Sequence, residues 1–431
     1  MKRTPILFFI FLSAISAAQA LTLKESIGLA LKNNPGIIAS QKKADAAEAK
    51  FNQAVGSFLP TIKIDMTYGK AYTAPSTVQM GSTTFSFGTT EVSNNSGWTA
   101  SLSQPLFVAA LFPGWGIARK YSDMAKEDLR KTVLDTSFNV TQTYFGVIRA
   151  EKMVKLAQES KEMAQSHLNQ IKTMLSAGVA TQADFLRTEV QLANSDVTLT
   201  RAKNGLELAR DAFNNALGND LEQAVILEED GFTGKVASLP EYKNLLEQSF
   251  KYRPDWKQYA LSVGMSEENL KVARAAVLPT AMLTASTGNR ITEYSAYKSD
   301  VNSWAVTGAA SWTLFDGLGI QNRIREAADN LEAQKAIEDQ VRNGIKLEVR
   351  DAYLSLKSGL ETIGSAKKAV DSAEANHEVS TVRYSSGGGT NLEILDAQVA
   401  LTQARINYYQ ALFDVEVAKA RINKVVGKEV L

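Results

Sequence analysis

Four segments of the chain alternate apolar with polar residues. They lie at about 61–69, 97–105, 280–288 and 304–313. Alternation with a period of two predicts β-strands that bury one apolar face. Trp304 and Trp312 are eight residues apart, or about 26 Å along a strand. This length equals the height of the apolar band of a membrane β-barrel, which has aromatic residues at both rims. An antiparallel sheet on a soluble core fits these segments equally well.

Most of the remaining chain has helical periodicity. One stripe steps by four, at Ile337, Val341, Ile345, Val349 and Tyr353. Elsewhere the spacing is seven, at Leu192, Leu199, Leu206 and Phe213 and at Leu401, Tyr408, Val415 and Ile422. Heptads with small residues at the second seam position are typical of close coiled coils. No proline interrupts the run at about 115–176, which would form about 90 Å of helix. The pattern predicts long antiparallel coiled-coil hairpins.

The order of these elements is repeated, which predicts a duplicated chain. Asn34-Pro35 and Leu59-Pro60 return 219 residues later as Arg253-Pro254 and Leu278-Pro279. The Gly-rich turn at 177–181 returns 209 residues later at 386–390. We therefore divide the chain into a first repeat at 21–230 and a second repeat at 231–431.

Each repeat contains the same three parts. A helix comes first, near 23–57 or 241–276. Two strands follow it, and they flank polar loops at about 70–96 or 289–303 that we expect to face the outside. A long helical hairpin ends the repeat, with its tip at the Gly-rich turn. The predicted fold class is an α+β membrane protein built from two internal repeats.

The number of strands bears on the number of subunits. Two strands per repeat make four per chain, whereas a membrane β-barrel needs about eight. Open sheet edges are not tolerated in lipid. Several chains must therefore share one barrel, with two copies supplying about eight strands or three copies about twelve.

The first residues are typical of a secretory signal peptide, which we assign to 1–20. Lys2 and Arg3 precede an apolar stretch that is too short to span a bilayer. Ala18-Gln19-Ala20 is a small-x-small cleavage site, so we expect the mature chain to begin near Leu21. No later run of about eighteen apolar residues predicts a transmembrane helix.

Charge and cysteine content exclude several classes. Removing Lys2 and Arg3 reduces the 47 basic residues to 45, against 46 acidic ones. Because nucleic-acid binding calls for a basic surplus, no nucleic-acid partner is expected. The chain contains no cysteine, which excludes disulfides, thiol nucleophiles, thiolate metal sites and a lipidated N-terminal cysteine.

Taken in order, these motifs resemble the TolC family of outer-membrane efflux and secretion channels, the outer-membrane factors. Leu21–Pro35 looks like the family's opening helix. Pro105-Leu106-Phe107 and Leu314–Gly319 look like its strand-to-helix junctions, and the turns at 178–186 and 387–396 look like its periplasmic helix tips. The resemblance covers essentially all of residues 21–431.

The resemblance implies a homotrimer. A long α-helical coiled-coil barrel would cross the periplasm, and a shared antiparallel β-barrel of about twelve strands would span the outer membrane. The implied function is the exit duct of a tripartite efflux or type I secretion system. The implied partners are a periplasmic adaptor (membrane fusion) protein, an inner-membrane transporter of the ABC or proton-driven kind, and outer-membrane lipid. No cofactor is implied.

The resemblance also implies a gate beside the second tip. Tyr384 precedes the turn, and Glu393 and Asp396 follow it on one helix face. Three copies would form two rings of carboxylates, which attract cations. The alternative interpretation is that Glu393 and Asp396 are two solvated residues near a helix N-terminus, where the helix dipole favours acidic side chains. Asp184 stands in the first tip, where the family can hold a tether partner. Gly389 stands where the family's best-known member has a latching arginine, so any latch here must differ.

The two turns are the candidate adaptor contacts of the resemblance. Their residues are Gly178, Val179, Ala180, Thr181, Gly387, Gly388, Gly389 and Thr390. A plain helix–helix turn is compatible with this role, because an adaptor would contact the turn itself.

Other interpretations are less well supported by the residues. His167 and His377 are the only histidines, and neither has partners at the spacing of a catalytic or zinc site, so we expect solvated helix positions and no enzyme. A structural coiled-coil envelope protein would not need paired strands with terminal tryptophans. A stand-alone porin-like pore would not need so much helix.

Overall fold

Long helices make up most of the computed structural model, which describes residues 20–87, 91–229, 232–234, 236 and 238–430. Residues 1–19 of the predicted signal peptide and the predicted repeat boundary at 230/231 lie outside the described residues. The helices are α1 (Leu23–Asn33), α2 (Pro35–Gly56), α3 (Leu111–Ser176), α4 (Gln182–Leu217), α5 (Tyr242–Tyr252), α6 (Pro254–Ala275), α7 (Gly319–Ser385) and α8 (Asn391–Val426).

The helix that opens each repeat is in fact two helices. We predicted single helices near 23–57 and 241–276, but each is interrupted before a proline, at Asn34 and at Arg253. Both residues have extended backbone, with ψ of 121° and 123°. A residue before proline avoids the helical region because the proline ring collides with it, and this separates α1 from α2 and α5 from α6.

Both interruptions pack against the end of a hairpin helix. Gly218 ends α4 with a φ of 77°, and a Cβ on it would lie 2.8 Å from the carbonyl oxygen of Asn33. Gly427 ends α8 with a φ of 82°, and its Cβ would lie 2.8 Å from the Cα of Arg253. The left-handed backbone and the close approach each require glycine at these two positions.

The strands are β1 (Thr61–Thr73), β2 (Ser76–Met80), β3 (Thr83–Phe87), β4 (Glu91–Val108), β5 (Thr280–Glu293) and β6 (Lys298–Ser311). Four of them form an antiparallel sheet in the order β1-β4-β5-β6. The sheet therefore joins two strands from each repeat. Within the described residues β1 and β6 each pair on one side only, so both edges of the sheet are open.

The register places the apolar residues on one face of this sheet. One row across the four strands consists of Ile62, Leu102, Ala285 and Val306. The neighbouring row on the opposite face consists of Lys63, Ser101, Ser286 and Ala305. Ile62 and Val306 are more than 60% exposed in the single chain. An apolar face this exposed in the single chain marks a surface that contacts lipid or another protein.

The strands extend further into the predicted loops than alternation indicated. Only residues 294–297 separate β5 from β6, so the polar loop expected at 289–303 is mostly strand. The loop expected at 70–96 likewise holds the ends of β1 and β4 and the extra hairpin β2–β3. Alternation did not indicate these parts of the strands, because neither face of the sheet carries a row of apolar residues there. β6 ends at Ser311, and the Trp312 indole donates to the Val277 carbonyl (2.9 Å) instead of continuing the strand.

Each repeat contributes a hydrophobic core around its hairpin helices. In the first, Tyr144 of α3 is buried against Phe213 of α4, and its hydroxyl donates to the Glu228 carbonyl at 2.6 Å. In the second, Val349 of α7 and Val415 of α8 are fully buried. Of the heptad residues predicted from spacing, Leu199, Phe213, Leu401, Val415 and Ile422 are buried.

The described residues divide into two compact units, and each unit takes segments from both repeats. One comprises the chain up to Lys42 together with Glu127–Trp256 and Val341–Leu431. The other comprises Lys43–Lys126 and Lys257–Gln340 and contains both sheets. Among the described helices, none combines the length and hydrophobicity needed to cross a membrane.

The glycines at the ends of α4 and α8 generate a stability prediction. Gly218→Ala and Gly427→Ala should each lower the free energy of unfolding by at least about 1–2 kcal/mol, because alanine disfavours the left-handed backbone and its Cβ would meet neighbouring backbone atoms. Gly205→Ala is the matched control: it lies inside α4 with open space around its Cβ and should raise stability by about 0.5–1 kcal/mol. Denaturant unfolding measures all three; equal effects would contradict the packing described.

Candidate gate and adaptor-contact tips

The two hairpins end in similar turns. Gly178 has a φ of 71° and Gly387 a φ of 78°. The next residue in each turn donates its N–H back five positions, from Val179 to the Met174 carbonyl (2.9 Å) and from Gly388 to the Arg383 carbonyl (2.8 Å). This is the Schellman arrangement, which needs a residue that tolerates positive φ. Glycine at 178 and 387 therefore fixes the place where each helix reverses.

Threonine caps the helix that leaves each turn. The Thr181 hydroxyl accepts the Asp184 N–H (3.1 Å), and the Thr390 hydroxyl accepts the Glu393 N–H (3.3 Å). At the first tip the Asp184 carboxylate accepts the Thr181 backbone N–H at 3.3 Å, which completes a capping box, and it also accepts the Thr181 hydroxyl at 2.6 Å. The pKa of Asp184 is lowered, chiefly by this hydrogen bond from Thr181.

Asn391 joins the two tips within one chain. It is the first residue of α8 and is buried. Its side-chain amide donates to the Asp184 carbonyl (3.2 Å) and lies 3.4 Å from the Thr188 hydroxyl, both on α4. Its side-chain oxygen lies 2.7 Å from His167 Nε2 on α3. One residue thus connects three helices, and nothing in its sequence surroundings predicted that role.

Tyr384 belongs to the same junction. It is 9% exposed and packs with Ile171 and Ile394, while its ring and the His167 ring form an edge-to-face contact at a centroid distance of 5.8 Å. Burial raises the pKa of Tyr384, and the nearby Asp184 carboxylate adds to the effect. The structure therefore brings Tyr384 and Asp184, two of the predicted gate residues, into one intrachain cluster.

Glu393 and Asp396 lie in the first two turns of α8 and are not members of that cluster. Asp396 is exposed and Glu393 is half-buried. The Glu393 carboxylate faces the Arg383 guanidinium at 3.7 Å, and Arg383 also donates to the Gly388 carbonyl at 3.1 Å. Arg383 is not among the residues predicted from the sequence, although it precedes the same turn by only a few residues. This exposed pair offsets part of the charge that Glu393 brings to the tip.

Gly389 has a steric role that its sequence position did not reveal. A Cβ there would lie 3.1 Å from the backbone nitrogen of Tyr384 and 3.3 Å from the carbonyl carbon of Arg383. Glycine thus lets the turn approach the last residues of α7. The arginine found here in the family's best-known member is absent, and Arg383 places a guanidinium beside the turn.

The prediction of solvated histidines was wrong for His167. Its side chain is buried, with 7% of the residue exposed, and it is hydrogen-bonded to Asn391. His377 on α7 is half-buried. The error arose because α3 packs against α8 along a face that the spacing of α3 alone does not show. No group of three or more metal-binding side chains occurs among the described residues.

Comparison with known proteins identifies the family of this chain. A family model described as outer membrane efflux protein matches residues 26–219 and, separately, residues 245–428. Both matches end one residue after a glycine that ends a hairpin helix, at Gly218 and Gly427. The chain belongs to the outer membrane efflux protein family.

Individual relatives cover nearly the whole chain. Outer membrane protein TolC of Escherichia coli K12 is 24% identical over 99% of this chain and 86% of its own. Proteases secretion protein PrtF of Dickeya chrysanthemi is 24% identical over 98% of this chain and 94% of its own. The Campylobacter jejuni CmeC outer membrane channel has a similar fold, with a TM-score of 0.78 at 19% identity over 94% of this chain and 85% of that one.

Membership in the outer membrane efflux protein family confirms the predicted fold class and localisation. The chain is an outer-membrane channel protein of a Gram-negative bacterium, of the class that serves efflux and secretion. The double match of the family model also agrees with two repeats of one ancestral unit. Family members are channel proteins and not enzymes.

Proposed function

We propose that three copies of this chain form one exit duct through the outer membrane. The four-stranded sheet supports the proposal, because it combines an apolar face with two open edges. Backbone groups at an open edge have no hydrogen-bonding partner in lipid, so β1 of one copy must pair with β6 of the next. Three copies give about twelve strands, within the range of known membrane barrels, and the family resemblance favours three over two.

The glycine turns at the hairpin tips are the proposed contacts for a periplasmic adaptor, which would connect the duct to an inner-membrane transporter of the ABC or proton-driven kind. Val179 is 70% exposed although it is apolar. Gly387 and Gly388 expose backbone at the second tip. An exposed apolar residue at one tip and exposed backbone at the other suit docking of a partner helix hairpin. Ala180, by contrast, packs into the tip cluster and is a poorer contact.

Copies of Asp396 and Glu393 from each chain are proposed to form charged rings at the entrance. Tyr384 and Asp184 are proposed to hold together the two tips of each chain. The exposure of Asp396 supports the first role. The intrachain cluster of Tyr384 and Asp184 supports the second. In this arrangement Asp396 contributes more to ion selectivity than Glu393, whose charge is partly offset by Arg383.

Charge neutralisation tests the rings. Asp396→Asn should reduce the cation preference of the channel in a planar bilayer, and Asp396→Asn with Glu393→Gln should reduce it further, because rings of carboxylates favour cations. Arg383→Gln should change the preference in the opposite direction, since it leaves Glu393 unpaired. Reversal potentials in a salt gradient measure these shifts. Glu189→Gln, an exposed position further along α4, is the control, and unchanged selectivity in the double variant excludes a gate at this place.

In-cell photo-crosslinking tests the partners. A photoreactive residue at Val179 or Gly388 should capture a periplasmic adaptor and, through it, an inner-membrane transporter, whose type would indicate the class of cargo. The same residue at Gly205, exposed in the middle of α4, controls for non-specific capture. Adducts containing only this chain, from a correctly assembled protein, would contradict docking at the tips.

A further inference from the structure

The four-stranded sheet has a polar face opposite its apolar one, and that face is rich in Ser, Thr and Gly. In the proposed barrel the apolar face contacts lipid, so the polar face lines the water-filled lumen. The charges on the polar face are therefore those that the strands of each copy contribute to the inner wall. The register places four charged residues there: Lys63, Asp65, Glu91 and Arg290.

Neither acidic residue of the polar face neutralises Arg290. Asp65 is engaged by Lys63 on the same strand, because its carboxylate lies 2.7 Å from the Lys63 ammonium. Glu91 lies on β4 six residues from Gly97, the residue that pairs with Arg290. Six residues span about 20 Å of strand, which is more than the Debye length of about 8 Å at physiological ionic strength.

Two other carboxylates of the sheet belong to the opposite face, and both have partners there. Asp300 on β6 accepts the side-chain amide of Asn289 at 2.6 Å. Glu293 on β5 forms an ion pair with Lys298 at 3.0 Å. Arg290 is exposed, and no carboxylate of the described residues lies within ion-pair distance of its guanidinium. Each copy thus presents one uncompensated positive charge on its polar face.

Two glycines flank Arg290 on this face. Gly97 pairs with Arg290 across β4, and Gly288 lies two residues earlier on β5. A Cβ on either glycine would lie 2.4 Å from a backbone oxygen of the opposite strand, so the close approach of β4 and β5 excludes a larger residue at both positions. Arg290 has the longest side chain of its row, in which the other residues are Thr67, Gly97 and Val301.

We propose that copies of Arg290 form a basic ring on the inner wall of the barrel, which attracts anions and the anionic groups of cargo. This inference rests on the proposed function, because only a barrel shared among copies places several guanidinium groups around one lumen. Rings of cationic side chains favour anions, and a guanidinium stays charged and binds carboxylate or phosphate groups through paired hydrogen bonds. The basic ring is opposite in sign to the entrance rings, and Arg290 and Asp396 belong to different compact units.

Reversal potentials of the full-length channel in a planar bilayer test the basic ring. The background Asp396→Asn, Glu393→Gln removes the entrance charges, so the remaining ion preference reports on the barrel. There Arg290→Gln should lower the chloride-to-potassium permeability ratio about twofold at about 0.1 M salt, and more at lower salt, where screening is weaker. Arg290→Lys keeps the charge and should keep the ratio. Asp300→Asn removes a charge from the opposite face and is the control, with no change expected.

A second measurement changes the charge after the channel has assembled. The chain contains no cysteine, so Arg290→Cys provides a single thiol in a channel that already conducts. A cationic methanethiosulfonate reagent should restore the anion preference, and an anionic one should shift the ratio further toward potassium. Thr287→Cys, three residues earlier on β5 and on the apolar face, is the control. It should not react, because lipid covers that face in the proposed barrel.

The outcomes separate the basic ring from the function on which it rests. A conducting channel whose permeability ratio is unaffected by Arg290→Gln, and by either reagent on Arg290→Cys, would overturn the basic ring and leave the duct intact. Reaction of Thr287→Cys as fast as that of Arg290→Cys would contradict the assignment of the two faces and overturn the ring. An unsubstituted protein that does not conduct, although it is assembled in the membrane, would overturn the duct and the ring together.

Discussion

The architecture depends on one constraint, which is that lipid offers no hydrogen-bonding partner to a backbone N–H or C=O group. A sheet of four strands with an apolar face and two open edges cannot satisfy that constraint alone. The proposed sharing of one barrel among copies would satisfy it. In the proposed assembly, charges at one hairpin tip would form rings, and a single exposed carboxylate such as Asp396 would gain a function that it lacks in an isolated chain.

Duplication explains why much of this fold was predictable. Each feature that a repeat needs occurs twice, so a weak motif gained support from its second copy. The same helix contact occurs in both repeats. Gly218 packs against the interruption at Asn34 in the first repeat, and Gly427 packs against the interruption at Arg253 in the second. The heptads predicted buried residues on α4 and on α8, because residues spaced by seven lie along one side of a helix and face its partner.

Other features were not predictable because they depend on contacts between distant segments. Nothing local to His167 indicates that α3 packs against α8, so its burial appeared only in the structure. Asn391 looks like an ordinary residue at a helix start, yet it connects α3, α4 and α8. Residues 70–73 of β1 and 298–303 of β6 were missed for another reason: both faces of the sheet are polar there, and alternation disappears.

The number of chains that share one barrel is the point on which the account depends most. Native mass spectrometry of the purified full-length protein, released gradually from detergent, measures it directly. The account predicts a complex of three chains that dissociates only with loss of the sheet, since every β1 and β6 edge is then paired. A stable monomer that retains the β-sheet in detergent, or a complex of two chains, would contradict it.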